Sequence, residues 1–252
     1  MNKNIDLSVS NYGTARRNKY DIALLPWGAT EPHNLHLPYL TDAILSHDIA
    51  VDSAETAARE YGIRAMVLPA MPLGSQNPGQ RELPFCIHYR YDTQRAVLTD
   101  IVASLRLQGL RRLLIVNGHG GNSFKNMIRD LAVDYPDMLV ASGEWYRAAT
   151  AKDFFDRPGD HADELETSVM MHYHPELVDL SEAGPGGDGG FKGETLRRGT
   201  VWVPRNWARI SDDTGIGDPR LATAEKGRRF AVACADELAK AIRDLCEDDL
   251  YR

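Results

Sequence analysis

Four short apolar runs, each followed by a segment with helical spacing, constrain the fold of this chain more than any other feature. The runs begin at Ile22, Ala65, Leu113 and Met138. Strands that are apolar on both faces and alternate with helices are typical of a parallel sheet covered on both sides. The sequence therefore predicts a layered α/β fold. The helical patterns cover residues 41–61, 92–108, 123–133, 163–173 and 221–244.

Length and composition limit the classes of protein to consider. A chain of 252 residues can bury a large core, and no repeat or linker divides it, so we expect a single domain over residues 1–252. The net charge of −7 disfavours nucleic-acid binding. No apolar run reaches membrane-spanning length, and no signal-peptide pattern is present. The three widely spaced cysteines favour reduced thiols and a cytoplasmic protein.

Polar residues follow the predicted strands at the points where they end. Glu31 and His33 follow the first strand, His119 the third and Glu144 the fourth. Loops from several parallel strands converge beyond the carboxyl edge of such a sheet, and ligands bind there. The sequence therefore predicts one site shared by these loops.

The first of these loops is the segment 28–38, in which Pro32 and Pro38 disfavour a helix. In an extended backbone Glu31 and His33 point the same way, which places a carboxylate beside an imidazole. Divalent metals bind to such mixed oxygen and nitrogen donors. We interpret both residues as candidate ligands.

Two further residues near this loop have a structural alternative. Asp42, in the first turn of the next helix, is either a third ligand or a carboxylate that interacts favourably with the helix dipole. That interaction stabilises a helix by roughly 0.3–1 kcal/mol. His36 is either part of the site or a core histidine bonded to the backbone.

The segment 117–122, Asn-Gly-His-Gly-Gly-Asn, joins the third strand to a helix. It is either a phosphate-binding turn or a tight connection with Asn122 as the helix N-cap. Neither reading explains His119, which we interpret as a ligand, with Gly120 and Gly121 leaving room for substrate. Aromatic candidates for the pocket wall are Trp145, Trp202 and Trp207.

The segment 160–168 has two compatible interpretations. Asp163 and Glu166 fit an acidic capping box at the start of a helix. The functional interpretation makes Glu166 a metal ligand and Asp160 with His161 an acid/base pair beside the metal.

Together these segments resemble the creatininase (creatinine amidohydrolase) family. The matching motifs are Gly28-x-x-Glu31-x-His33-x-x-His36-Leu37-Pro38 with Thr41-Asp42, Asn117-Gly118-His119-Gly120-Gly121-Asn122, His161-Ala162-x-x-x-Glu166-Thr167-Ser168, and the segment from Gly217 to Gly227. They occur in the family order and span most of the chain. The resemblance implies a three-layer, Rossmann-like α/β/α sandwich and a homo-oligomer, commonly a hexamer built from dimers.

The resemblance also implies two divalent ions per subunit, with zinc favoured over manganese or iron. By analogy Glu31 and His119 hold one ion, His33 holds the other, and Asp42 bridges them. Creatininase has a further glutamate ligand where this chain has Gly121. Family members that have two glycines here, as this chain does, use instead the glutamate that aligns with Glu166. His36 and Asn122 are expected to support the ligands from behind.

Two departures from creatininase concern the substrate pocket. Gly120 stands where creatininase has an aromatic residue, and the segment 77–85 lacks a His and a Pro-Gly-Thr found in many members. Creatinine is therefore an unsafe choice of substrate.

The resulting hypothesis is a metal-dependent amidohydrolase acting on a small molecule, without nucleic-acid or membrane partners. A hydroxide generated by the metal pair attacks a cyclic amide or other C–N bond, and His161, aided by Asp160, carries the proton. Alternatives with the same metal site are a cyclic polyol ketone, a formamide or a peptide as substrate. A nucleotide-binding α/β module is the alternative from a different class.

Overall fold

A four-stranded parallel sheet forms the centre of the computed structural model, which describes residues 2–247 and 249–251. The strands are β1 (Ile22–Trp27), β2 (Ala65–Val67), β3 (Arg112–Asn117) and β4 (Leu139–Glu144), in the order β2-β1-β3-β4. Every pairing between them is parallel. The helices are α1 (Tyr12–Ala15), α2 (Thr41–Tyr61), α3 (Tyr91–Leu107), α4 (Lys125–Asp134), α5 (Glu164–Tyr173), α6 (Glu194–Arg197) and α7 (Ala224–Leu245).

Strand β1 is buried along its whole length and separates two apolar clusters. Ile22 and Leu24 belong to one cluster, with side chains of α2, α5 and α7. Ala23, Leu25 and Trp27 belong to the other, with side chains of α3 and α4. Each fully buried Leu or Ile contributes about 1.5–3 kcal/mol. Alternate residues of one strand thus hold helices on both faces, which confirms the predicted sandwich of helices, parallel sheet and helices.

The predicted helices are present with small shifts at their ends. Helix α2 has the predicted bounds and ends at Gly62, whose φ of 69° is left-handed. Asp163 is the N-cap of α5, as predicted, and accepts a hydrogen bond from the backbone N–H of Glu166. The N-cap interpretation of Asn122 is wrong, because α4 begins later, at Lys125, and its N-cap is Phe124.

The carboxyl ends of three strands lie side by side. Trp27 pairs with Asn117 on β3, and Asn117 pairs in turn with Glu144 on β4, so the three residues form one row across the sheet. The loops that follow β1, β3 and β4 therefore start at one edge of the sheet, as parallel strands require. None of the described helices is long and apolar enough to cross a bilayer.

Candidate metal centre

Five predicted ligands lie together beyond this edge of the sheet. One group consists of Glu31, Asp42 and His119, and a second of His33, Asp42 and Glu166; within each group the candidate ligand atoms are within 4.8 Å of one another. Asp42 is the member common to both, and a third possible group, of Glu31, His33 and His161, shares one member with each of them. The structure therefore places the carboxylate that was expected to bridge two ions between the two groups.

Two glycines allow the start of α2 to approach the strand ends. A Cβ placed on Gly28 would lie 2.3 Å from the backbone nitrogen of Ala43, and one on Gly118 would lie 2.7 Å from the carbonyl oxygen of Asp42. Neither distance is compatible with a side chain. The absence of a Cβ at both positions brings the first turn of α2, and with it Asp42, against the loops that carry Glu31 and His119.

Three histidines at the site are oriented by backbone carbonyls. His33 Nδ1 is 3.1 Å from the carbonyl oxygen of Glu31, His119 Nε2 is 2.9 Å from that of Ser75, and His161 Nε2 is 2.9 Å from that of Pro32. A carbonyl oxygen only accepts, so these nitrogens carry the proton and donate. In a neutral imidazole the other ring nitrogen then has a free lone pair.

These inner nitrogens face carboxylates. His33 Nε2 lies 3.0 Å from Asp42 Oδ1, and His119 Nδ1 lies 3.0 Å from Glu31 Oε1 and 3.1 Å from Asp42 Oδ2. Asp42 Oδ2 is buried and has no hydrogen-bond donor among the described residues. A lone pair opposite a carboxylate is repulsive unless a proton or a metal cation lies between them. The donor set therefore fits divalent metal ions.

The raised pKa values of two histidines show that the buried carboxylates of the metal-free site favour positive charge beside them. Burial disfavours the charged form of His33, yet the carboxylates of Asp42, Glu166 and Glu31 raise its pKa to about 10. The pKa of His119 is also raised, against burial, by Glu31 and Asp42. In the absence of a metal, protons on the histidines offset the buried carboxylates.

Glu166 differs from the other two carboxylates. Burial, together with repulsion from Asp42 and Asp163, raises its pKa to about 8, although His33 works in the opposite direction. Its Oε2 accepts a hydrogen bond from the backbone N–H of Ala162, which has a φ of 49°. The left-handed conformation is unfavourable for alanine, so this hydrogen bond helps to hold the turn between His161 and α5.

His161 lies beside both groups. Its Nδ1 is 3.6 Å from Glu31 Oε1, and its ring centroid is 4.3 Å from that of His33 and 5.4 Å from that of Trp207. Burial and the neighbouring His33 lower its pKa. At neutral pH the ring is therefore uncharged, with its Nδ1 lone pair available to accept a proton or to bind an ion.

The structure does not pair Asp160 with His161, contrary to the predicted acid/base pair. Asp160 forms an ion pair with Arg205 instead, and about half of its side chain is exposed. The guanidinium of Arg205 stacks on Trp207, 4.8 Å from the ring centroid. Asp160 therefore reaches His161 only indirectly, through Arg205 and the Trp207 ring.

His36 and Asn122 are hydrogen-bonded to neighbours of the candidate ligands and not to the candidate ligand side chains themselves. His36 Nε2 is 2.8 Å from Thr167 Oγ1, and burial together with His33 lowers the pKa of His36 to about 4. The Asn122 amide donates to the carbonyl oxygen of Gly28, and its oxygen accepts from the backbone N–H of Ser75. The Asn122 side chain thus ties together the loops that follow β1, β2 and β3.

A cavity of about 1340 Å³ opens onto the site. Gly120 and Gly121 line it, as predicted for substrate-contacting residues. Trp145 does not; it is 1% exposed and packs in the core against Phe230, which corrects its prediction as a pocket residue. Aromatic side chains in the wall are Tyr146, Phe191, Trp202 and Trp207.

Sequence reasoning missed the residues that follow β2. Ser75 and Gln80 both line the cavity, and Gln80 Nε2 donates to Glu31 Oε2 at 2.7 Å. They belong to an irregular stretch rich in Pro and Gly, which has no periodicity from which a side-chain direction can be derived. The only available signal was its position after a predicted strand.

Comparison with known proteins gives a consistent family. The model of the creatininase family, described as creatinine amidohydrolase, matches residues 6–242. A mycofactocin precursor peptide peptidase of Mycobacterium ulcerans is 31% identical over 87% of this chain and 83% of its own. A creatinine amidohydrolase of Pseudomonas putida is 24% identical, covering 88% and 89%. A 3-dehydro-scyllo-inosose hydrolase of Thermotoga maritima is 24% identical, covering 92% and 80%.

Solved structures show the same fold. A Bacteroides fragilis protein proposed to be a creatinine amidohydrolase superposes with a TM-score of 0.97 at 56% identity, over 100% of both chains. Structures described as the manganese form and the Zn-Zn type of creatininase give TM-scores of 0.78 and 0.77 at 22% identity, over 96% of this chain and 98% of theirs. At that identity the likeness is one of fold.

Proposed function

This chain is a hydrolase of the creatininase family, and from that premise we propose that it is metal-dependent, holds two divalent ions and cleaves a C–N bond of a small amide. Glu31, Asp42 and His119 would hold one ion, and His33, Asp42 and Glu166 the other. Mixed imidazole and carboxylate donors suit zinc, manganese and iron(II), and zinc is the favoured metal.

The observation that carries this proposal is the orientation of the two predicted histidine ligands. His33 and His119 each donate one ring N–H to a backbone carbonyl and turn the other nitrogen towards carboxylates. Metal-binding histidines are oriented in this way, because the outer hydrogen bond fixes the tautomer that leaves the inner lone pair free. A histidine that serves only to pack the core needs no buried carboxylate at its inner nitrogen, whereas His33 faces Asp42 and His119 faces both Glu31 and Asp42.

In the proposed hydrolysis the metal ions and the side chains would have different roles. Bound divalent ions would lower the pKa of a coordinated water and polarise a carbonyl group. His161 would accept a proton at Nδ1 and return it to the leaving nitrogen, while its Nε2–H stays on the Pro32 carbonyl. Its lowered pKa suits this role, because the ring starts unprotonated at neutral pH. Asp160 would influence His161 only through Arg205 and Trp207.

The size of the cavity favours a second candidate substrate, the amide of a peptide. A small cyclic amide would fill little of the 1340 Å³, since pockets for drug-sized ligands already measure about 300–1,000 Å³. The relative from Mycobacterium ulcerans is named as a peptide peptidase, which supports the inclusion of peptides. A formamide or a cyclic polyol ketone is a weaker alternative.

A nucleotide-binding role has less support. Phosphate binding by the segment 118–122 would use the N-terminus of the helix that follows. Helix α4 begins only at Lys125, and His119 within the segment faces Glu31 and Asp42. Carboxylates at this position would repel a phosphate.

The decisive experiment combines metal analysis with a substrate panel. Protein stripped with a chelator is reloaded with Zn²⁺ or Mn²⁺ and assayed on cyclic amides, short peptides, formamides and a cyclic polyol ketone. We expect hydrolysis that is lost on stripping and restored by metal, with two ions per chain. Activity that survives complete metal removal, or nucleotide binding in its place, would contradict the proposal.

Two further properties belong to the proposal. Free thiols at Cys86, Cys234 and Cys246 fit a reducing compartment such as the cytoplasm. We also propose a homo-oligomer, in keeping with the family resemblance, and light scattering at several concentrations measures its mass.

A further inference from the structure

Tyr146 is a polar residue of the cavity wall to which the reaction outlined above gives no role. It is the second residue after β4, next to the buried Trp145, and it lines the cavity that opens onto the candidate metal centre. A Cβ on Gly120 would be 3.5 Å from the Tyr146 hydroxyl oxygen. The hydroxyl therefore lies directly beside the residue that follows His119.

The Tyr146 hydroxyl is a free hydrogen-bond donor at this position. Among the described residues no donor or acceptor is bonded to it, although the ring itself packs against Trp145 with centroids 5.9 Å apart. Burial first, and the carboxylates of Glu144, Asp42 and Glu166 in addition, raise the pKa of Tyr146. The phenol thus keeps its proton throughout the neutral range.

The loop that carries Gly120 comes close to the Tyr146 hydroxyl. A single methyl group at position 120 would be in ordinary van der Waals contact with the oxygen. The loop after β3 and the aromatic residue after β4 therefore share one wall of the cavity.

We propose that the Tyr146 hydroxyl donates a hydrogen bond to the carbonyl oxygen of the substrate and stabilises the negative charge that develops there, a role that rests on the proposed hydrolase function. Donors aimed at such an oxygen stabilise the transition state more than the ground state. The proton remains on the phenol, and no bond to Tyr146 forms or breaks.

The test uses acetohydroxamate, a small probe whose two oxygens can bind metal and carry charge like the reacting carbonyl. Its dissociation constant is measured by calorimetry with the zinc-loaded wild type, Tyr146→Phe and the control Tyr135→Phe. Tyr135 lies outside the cavity lining, with Arg106 over its ring. We expect Tyr146→Phe to weaken binding on the order of 10- to 100-fold, with two zinc ions still bound and the control unchanged.

The outcomes separate the role of Tyr146 from the proposed function. Equal affinity of the wild type and Tyr146→Phe, both fully loaded with zinc, overturns the role of the tyrosine alone. A wild type that takes up no zinc, or binds no hydroxamate when loaded, overturns the proposed function and the tyrosine's role with it. With a substrate from the panel, Tyr146→Phe should lower kcat far more than it changes KM, and a change confined to KM would contradict charge stabilisation.

Discussion

Gln80 donates a hydrogen bond from Nε2 to Glu31 Oε2 at 2.7 Å, and this bond determines which oxygen of Glu31 faces the metal centre. The other oxygen, Oε1, lies 3.0 Å from His119 Nδ1. Gln80 is itself fixed, because its side-chain oxygen accepts from the backbone N–H of Asn77 at 2.8 Å. Its 1% exposure leaves little freedom for another orientation. Glu31 is thereby oriented to offer a single oxygen to a cation.

Replacing Gln80 by Leu should weaken metal binding. Removing a partner that orients a metal ligand costs about 10- to 100-fold in affinity, and here the loss should affect the ion held by Glu31 and His119. Competition with a chromophoric zinc chelator measures both dissociation constants. Gln108→Leu, at the exposed C-cap of α3, is the matched control. Two unchanged constants in Gln80→Leu would show that Gln80 has no such function.

Metal stoichiometry should depend on which ligand is removed. Asp42 belongs to both of the groups that we propose to hold an ion, whereas His119 and Glu166 belong to one each. We expect Asp42→Asn to bind neither ion tightly, and His119→Ala and Glu166→Gln to retain one. Elemental analysis of gel-filtered protein, with circular dichroism to verify folding, gives the counts. Equal loss of metal in all three variants would argue against two separate groups.

The stability of metal-free protein should fall as pH rises from 7 to 8.5. His33, with a pKa raised to about 10, keeps its proton throughout this range, and Glu166, with a pKa raised to about 8, loses its proton within it, whereas both groups are largely unprotonated in the unfolded chain. The His33 contribution is complete below its unfolded pKa of about 6.5 and disappears as pH approaches 10; the Glu166 carboxylate becomes charged and destabilising through about 8. Urea unfolding at each pH measures this.

The Glu166→Gln variant is the control for this pH dependence. Because glutamine does not titrate, the slope of the free energy of unfolding against pH should become shallower by up to about 1.4 kcal/mol per pH unit. Saturating zinc should reverse the trend in the wild type, since protons compete with the metal. An identical slope in wild type and variant would rule out a protonated Glu166.

His161 should be needed for turnover and not for metal retention. Loss of a general acid/base reduces kcat by about 10²–10⁴-fold, and we expect His161→Gln to do so with two ions still bound. The alternative, in which its Nδ1 binds an ion together with Glu31 and His33, predicts the loss of one ion. Parallel measurement of kcat and zinc content distinguishes the two roles.

Gly28→Ala should destabilise the fold. Its Cβ would meet backbone atoms of the first turn of α2, 2.3 Å from the nitrogen of Ala43, so the strand end and the helix would have to separate. Overpacking of this kind costs about 1–3 kcal/mol. Gly190→Ala, whose Cβ would approach no atom closer than 3.8 Å, should leave the free energy of unfolding unchanged. Chemical denaturation of both variants makes the comparison.

The fold could be predicted from the periodicity of apolar residues along the chain. The apolar run of β1 and the helical spacing of residues 41–61 were sufficient for the sheet, its two covered faces and the bounds of α2. The candidate ligands were predicted from motifs, because Glu31 and His119 follow predicted strands and Glu166 lies in the first turn of a predicted helix, in family order. Both signals depend on residues that are close in sequence or that follow a regular element.

The features that the sequence did not predict depend on the geometry of loops. Trp145 and Tyr146 are neighbours at the end of β4, and only the local backbone decides that the first enters the core and the second the cavity wall. The partner of Asp160 is Arg205, which comes from a distant irregular segment. The hydrogen bond of Gln80 likewise depends on how the Pro/Gly-rich stretch folds back over the loop that carries Glu31.

The level ends of β1, β3 and β4 have a consequence for how the protein is made. The proposed ligands come from separate stretches of chain, the first at Glu31 and the last at Glu166, and they meet only when the sheet is paired and α5 is packed. A nascent chain therefore has no complete binding site until Glu166 has left the ribosome. If two ions bind as proposed, the site of the second ion is completed only after α5 has been synthesised, and a cell short of metal would accumulate folded chains that are inactive.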